Sequence, residues 1–265
     1  MESVSGLVGE DHVDEVKMTD DSTITNAGNK ENKIKSFVIR NKNGEIVTDQ
    51  YSNISTVPGT LTVTQVDATV TANDIWKQYG KDMPKLTYTA AGFVNNESPE
   101  SLSLDLKLQT DAGKTSGAGT FDITFADKKE ADNYNITYVN GKLHITPNLD
   151  HIIIKASDAF KVYDGKELTK ASYSMTGRLA DGDRIKEVIM KADSRITNTG
   201  TKENGIDHVV IVNENGDNVT SCYENLRLAD GQLIVIKAPA FVMAKQHTKH
   251  TVMSTRSWIM RFQVL

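Results

Sequence analysis

Short runs in which apolar and polar residues alternate recur along most of this chain. Leu104, Leu106 and Leu108 alternate with Ser103, Asp105 and Lys107; Phe121, Ile123 and Phe125 alternate with Thr120, Asp122 and Thr124. Leu143 and Ile145 alternate with Lys142 and His144. A period of two puts successive side chains on opposite faces of an extended backbone, so each run predicts a strand with one buried and one wet face. Asn140-Gly141, lying between two such runs, predicts a tight hairpin, because both residues tolerate the positive φ of the favoured turn. Asn43-Gly44 and Asn215-Gly216 predict the same device. One short helix is expected, with Ser98 as N-cap, Pro99 at the first helical position and Glu100 near the positive end. Gly9–Val16 and Asp181–Val188 are expected to form similar turns, and after Ile236 the alternation stops.

The pattern is also periodic on a longer scale. Met18–Thr64 falls without gaps on Met190–Ile236, with 23 of 47 positions identical. Both carry Ile-Thr-Asn-x-Gly-x-Lys-Glu-Asn (Ile24–Asn32, Ile196–Asn204), Asn-x-Asn-Gly, Tyr-x-Asn and a closing Gly-x-Leu-x-Val. A more diverged copy between them ends Asn133-Tyr134-Asn135-Ile136, then Gly141-Lys142-Leu143-His144-Ile145. Such a period predicts a string of small domains rather than one large one. The later copies open with Asp74–Gly80 and Asp158–Gly165, whereas the first enters only at Val4-Ser5-Gly6. The expected organisation is therefore a truncated repeat at 1–66 lacking its first strand, complete repeats at 67–147 and 148–237, and a tail at 238–265 that is disordered or out of frame. Thr248–Arg256 can be written in codons whose other frame encodes Lys-Thr-Tyr-Gly-Asp-Glu-Tyr-Pro, a repeat-opening motif. Connections at Thr64–Asp67 and Thr146–Asp150 are short, and Pro147 stiffens the second. An elongated rod is the expectation.

Composition narrows the function classes. Hydrophobic residues make up 38% and charged residues 25%, with many Gly, Asn, Asp, Ser and Thr, as small turn-rich β domains require. A net charge of −5 without a Lys/Arg cluster argues against nucleic acid as a partner. The lone cysteine, Cys222, excludes an intrachain disulfide; Gln50 stands at its place in the first copy, so a site outside the deep core is expected. No run approaches the roughly 20 apolar residues that span a bilayer, so no membrane insertion is expected. Met1–Gly6 has neither a basic nor an apolar region of the signal-peptide kind.

Candidate chemistry is sparse. No Gly-x-Ser-x-Gly, phosphate loop or His-Glu-x-x-His is present, so neither an enzyme nor a cofactor is expected. Gly113–Gly119 reads as a loop between strands. Glu10, Asp11, His12, Asp14 and Glu15 could hold a hard cation through their oxygens, but Asp183 is aligned with His12, beside Arg184 and Lys186, and a solvated turn without metal is the better reading. Lys-Glu-Asn at 30–32 and 202–204 invites an isopeptide crosslink; contiguous residues lack that geometry, and a turn is expected. Trp76, Tyr79 and Phe93 are the aromatics that could stack on a sugar ring. Trp76 shares a register with Phe160, and Tyr79 with Tyr163, which favours packing over a lectin platform. His247 and His250 fall in the tail.

With these motifs in place, the chain resembles the MBG- and YDG-type repeats of bacterial surface proteins. Tyr79-Gly80-x-x-x-Pro84-x-Leu86-Thr87-Tyr88, Gly92-Phe93-Val94-Asn95 and Asn133-Tyr134-x-Ile136 through Gly141-x-Leu143 look like the YGX variety. Tyr163-Asp164-Gly165, Thr197–Asn204 and Tyr223 through Val235 look like the YDG variety. The resemblance, over about residues 3–237, implies a secreted or wall-attached adhesin-like protein of tandem β modules. It supplies no catalytic or ligand residues, and no Leu-Pro-x-Thr-Gly motif is present. The expected fold is all-β: three tandem sandwich-like or β-grasp-like units. The expected function is a non-enzymatic stalk or spacer of a surface adhesin, partnered by neighbouring repeats of a longer parent. The alternatives are a module binding a host glycan or matrix protein through exposed β faces and, remotely, a cytoplasmic or enzymatic protein.

Overall fold

The computed structural model describes residues 4–246, and within them the regular structure is strand and two single 3-10 turns, with no α-helix. The fold class is all-β. The calls on Met1, on His247 and His250, and on the frame of Thr248–Arg256 lie outside the described residues. Two compact units are present: one takes in 4–77, 82–114 and 119–145, the other 78–81, 115–118 and 146–246.

The first stretch holds β1 (His12–Met18), β2 (Gly28–Asn32), β3 (Ile34–Arg40) and β4 (Gly59–Val63). The middle stretch holds β5 (Val66–Ala72), β6 (Ile75–Gln78), β7 (Tyr88–Ala91), β8 (Leu108–Gln109), β9 (Gly119–Phe125), β10 (Tyr134–Val139) and β11 (Gly141–Thr146). The last holds β12 (Ile152–Ala156), β13 (Ala159–Val162), β14 (Tyr173–Thr176), β15 (Arg184–Met190), β16 (Gly200–Asn204), β17 (Ile206–Val212), β18 (Leu226–Ala229) and β19 (Gly231–Ile236).

The last stretch shows how a core is closed. In one sheet β12 lies between β14, antiparallel, and β18, parallel. A second sheet has β19 between β13, parallel, and β16, antiparallel. Thus β12 runs into β13 and β18 runs into β19, two parallel strands that each leave one sheet for the next. Alternation does the rest: Ile152, Ile154 and Ala156 point inward from β12, and Leu233 and Val235 from β19, all at most 2% exposed. Each Ile, Leu or Val among them contributes roughly 1.5–3 kcal/mol by leaving water. The middle stretch repeats the scheme with β10-β5-β7 and β6-β11-β9-β8.

Four local expectations are corrected. Asn140-Gly141 does not make a hairpin: β10 pairs with β5 and β11 with β9, so the chain changes sheets there. Gly141 is needed for space, since a Cβ would run into the Ala72 carbonyl; at Gly231 it would stand 2.5 Å from the Ala156 carbonyl oxygen. The Ser98 segment is one turn, not a helix. Ser98 and Ser101 cap each other through their hydroxyls, but Ser103 at φ +57° and the Leu104 N–H to Pro99 C=O bond end the turn at once. Gly9–Val16 and Asp181–Val188 turn only briefly before β1 and β15 begin. Lys30–Asn32 and Lys202–Asn204 lie in strands β2 and β16 rather than in turns. Leu104 and Leu106 face inward as their alternation requires, yet only Leu108–Gln109 is paired as a strand.

Candidate functional site: tyrosine clasps and an exposed aromatic face

Three tyrosines do the same thing in the three stretches. Val8–Asp11, Val94–Glu97 and Ala180–Asp183 are four-residue turns, each closed by an N–H to C=O bond of 2.9–3.1 Å from last residue to first. In each, a distant tyrosine hydroxyl accepts from the first residue's N–H and donates to the last residue's carboxylate. Tyr51 takes the Val8 N–H at 2.9 Å and donates to Asp11 at 2.7 Å. Tyr223 takes the Ala180 N–H at 2.9 Å and donates to Asp183 at 2.5 Å. Tyr134 takes the Val94 N–H at 3.2 Å and donates to Glu97. Such a clasp satisfies a phenol, a backbone N–H and a carboxylate together, so each turn is tied to a distant part of its own stretch with none of the three groups stranded.

In the second unit the clasp is doubled. Tyr79, 1% exposed, also donates to Asp183 at 2.8 Å, and its ring meets Tyr223 edge-on at 5.7 Å. Burial first, and then the Asp183 carboxylate, pushes both phenols well above the usual tyrosine range. Tyr88 is pushed up to about 12 by burial and by its bond to Glu100. For Tyr51 and Tyr134 the same direction comes chiefly from the hydrogen bond to the acid. Phenols held neutral in this way are poor nucleophiles and good struts.

The three predicted aromatics are not brought together. Tyr79 belongs to the clasp just described. Phe93 is half-buried, its ring 4.9 Å from that of Tyr134. Trp76 is 62% exposed on edge strand β6, stacked on His144 at 4.8 Å and 17°. Thr120 reaches the His144 ring at 3.2 Å, and Lys142 pairs with Asp122 on the same sheet face. Phe160, on edge strand β13, is 76% exposed, so neither it nor Trp76 packs into a core.

Other candidates resolve into local structure. Asp11 faces Tyr51, while Arg40 takes Asp14 at 2.6 Å and Glu15 at 3.5 Å. Asp183 is the counterpart of Asp11, not of His12: the turns and their tyrosines superpose with one constant spacing in sequence. Among the described residues no three metal-ligating side chains gather into a cation site. Cys222 is buried, against the sequence expectation, because residues 115–118 cover it and Ala118 donates its N–H to the sulfur at 3.3 Å. Gln50, at the same place in the first stretch, is exposed. The buried Lys77 was not singled out from sequence; desolvation lowers its pKa, and its ammonium reaches the Lys114 carbonyl at 3.5 Å.

No curated protein matches this chain. Residues 68–144, from β5 to β11 and including the Trp76 face and the Tyr134 clasp, match a known family, and this segment is an MBG domain of YGX type.

Proposed function

We propose that the chain is a non-enzymatic spacer and interaction segment of a bacterial cell-surface protein of the adhesin kind, built from tandem MBG- and YDG-type repeats. The observation that carries this reading is the MBG domain at 68–144 together with the tyrosine-clasped turn that recurs on both sides of it. A spacer gains from loops tied by internal hydrogen bonds, because each clasp resists local opening without a ligand. The reading implies an extracellular or wall-attached location and neighbouring repeats as partners. It also expects the repeats to be strung end to end by their short connections. Small-angle scattering and a glycan and matrix-protein array test it on the full chain. An extended scattering profile with no saturable binding at high micromolar concentration supports the spacer; a compact profile contradicts it.

A second reading, a module that binds a host glycan or matrix protein, is favoured by the exposed Trp76–His144 stack and its polar rim. An indole face beside hydroxyl, carboxylate and ammonium groups suits a sugar ring. Array binding that Trp76→Ala abolishes, with the fold intact, would favour this reading over the spacer.

A further inference from the structure

Within residues 4–64 the first stretch has no counterpart of the strand pair β12–β13 that closes the last. Among the described residues β4 pairs only with β2, whereas the equivalent β19 has a partner on each side. The groups that grip the extra strands in the last stretch are nevertheless present. Asn204 donates from its amide to the Ser157 and Lys170 carbonyls at 2.9 and 3.0 Å; Asn32, at the same place, makes neither bond. Gly231 leaves room for the Ala156 and Ser157 carbonyls, while a Cβ on Gly59 would meet only Asn32 at 3.8 Å. The N–H that follows each crossover glycine, of Lys142 and of Gln232, donates to Asp74 and Asp158 at 2.7 and 2.8 Å. Thr60 holds that place after Gly59.

The apolar side is open in the same way. Leu233 and Val235 are fully buried, but Leu61 and Val63 only half so. Ile54 and Val57, which stand where Leu226 and Ala229 pair with β12, are 45% and 82% exposed.

We propose that this edge accepts, by strand addition, an extended segment with the chemistry of β12–β13. Its first strand lies beside residues 54–57, and its second runs parallel to β4. An aspartate at the bend takes the Thr60 N–H, and the preceding carbonyl takes the Asn32 amide. The occupant is the opening strand pair of a neighbouring module. Main-chain hydrogen bonds supply the affinity and the alternating apolar side chains the specificity. The proposal stands on the comparison of the three stretches, not on the spacer reading.

The test is a fluorescent peptide of residues 150–165 titrated into the full chain, with amide exchange read at β4. The expected result is saturable one-to-one binding, with the Thr60 and Thr62 amides, which face away from β2, gaining protection at least tenfold. Gly59→Val should weaken binding at least tenfold. Should that variant fold poorly, Asp158→Ala in the peptide gives the same loss without touching the chain. Absence of saturable binding at several hundred micromolar would overturn the proposal. So would binding indifferent to both substitutions, or protection gained only at β19.

Discussion

At the scale of single residues, the carboxylate that matters most is Asp183, which accepts from two buried phenols. Hydrogen bonds to a charged partner contribute about 1.5–3 kcal/mol each, and removing that partner leaves the phenols unsatisfied. Asp183→Ala is therefore expected to destabilise the second unit by about 3–5 kcal/mol in urea unfolding. Asp11→Ala, which releases only the half-buried Tyr51, should cost about 1 kcal/mol. The same geometry sets a pH response. Because the folded pKa values of Tyr79 and Tyr223 lie above the ordinary tyrosine value, the folded state holds protons that the unfolded chain loses. Their stabilisation is complete below about pH 10 and falls above it, by about 1.4 kcal/mol per pH unit for each phenol. Denaturation midpoints measured between pH 9 and 12 should stay level and then decline, and Tyr79→Phe should reduce the slope. The clasp was only half legible in the sequence. Tyr51 and Tyr223 stood out as repeated residues, but their acids lie 40 residues away. A one-residue slip in the alignment then set Asp183 against His12.

At the scale of elements, the strands were easy to read and the paths between them were not. Alternation located β9, β11 and the inward set Leu104, Leu106 and Leu108, because a half-buried strand writes its period into the sequence. Asn140-Gly141 misled because a glycine required by positive φ and one required by a passing carbonyl look alike. Only the pairing of β10 with β5 separates the two cases. The distinction predicts opposite responses at equivalent glycines. Gly231→Ala pushes a Cβ against the Ala156 and Ser157 backbone and should cost about 3 kcal/mol. Gly59→Ala brings its Cβ only into ordinary contact with Asn32 and should be neutral or stabilise by about 0.4–1 kcal/mol, through the lowered entropy of the unfolded chain. Thermal unfolding of the two variants measures both. The Ser98 segment teaches a similar lesson: start and stop signals five residues apart leave one turn, however good the N-cap.

At the scale of the molecule, the stretches differ in how far their cores are closed, although the four strands of the first recur in the last at almost the same places. Ile152, Ile154, Leu233 and Val235 are sealed by crossover strands in the last stretch; in the first, Ile39 is the fully buried aliphatic among the described residues. Local stability follows buried apolar contact, so opening should be easiest where the crossover pair is missing. The central claim, that this pair is what completes a module, is tested most directly by native-state amide exchange on the full chain at neutral pH. The account predicts that Leu233 and Val235 exchange at least a hundredfold more slowly than Leu61 and Val63, their counterparts on β4. Equal protection at the two pairs would contradict it.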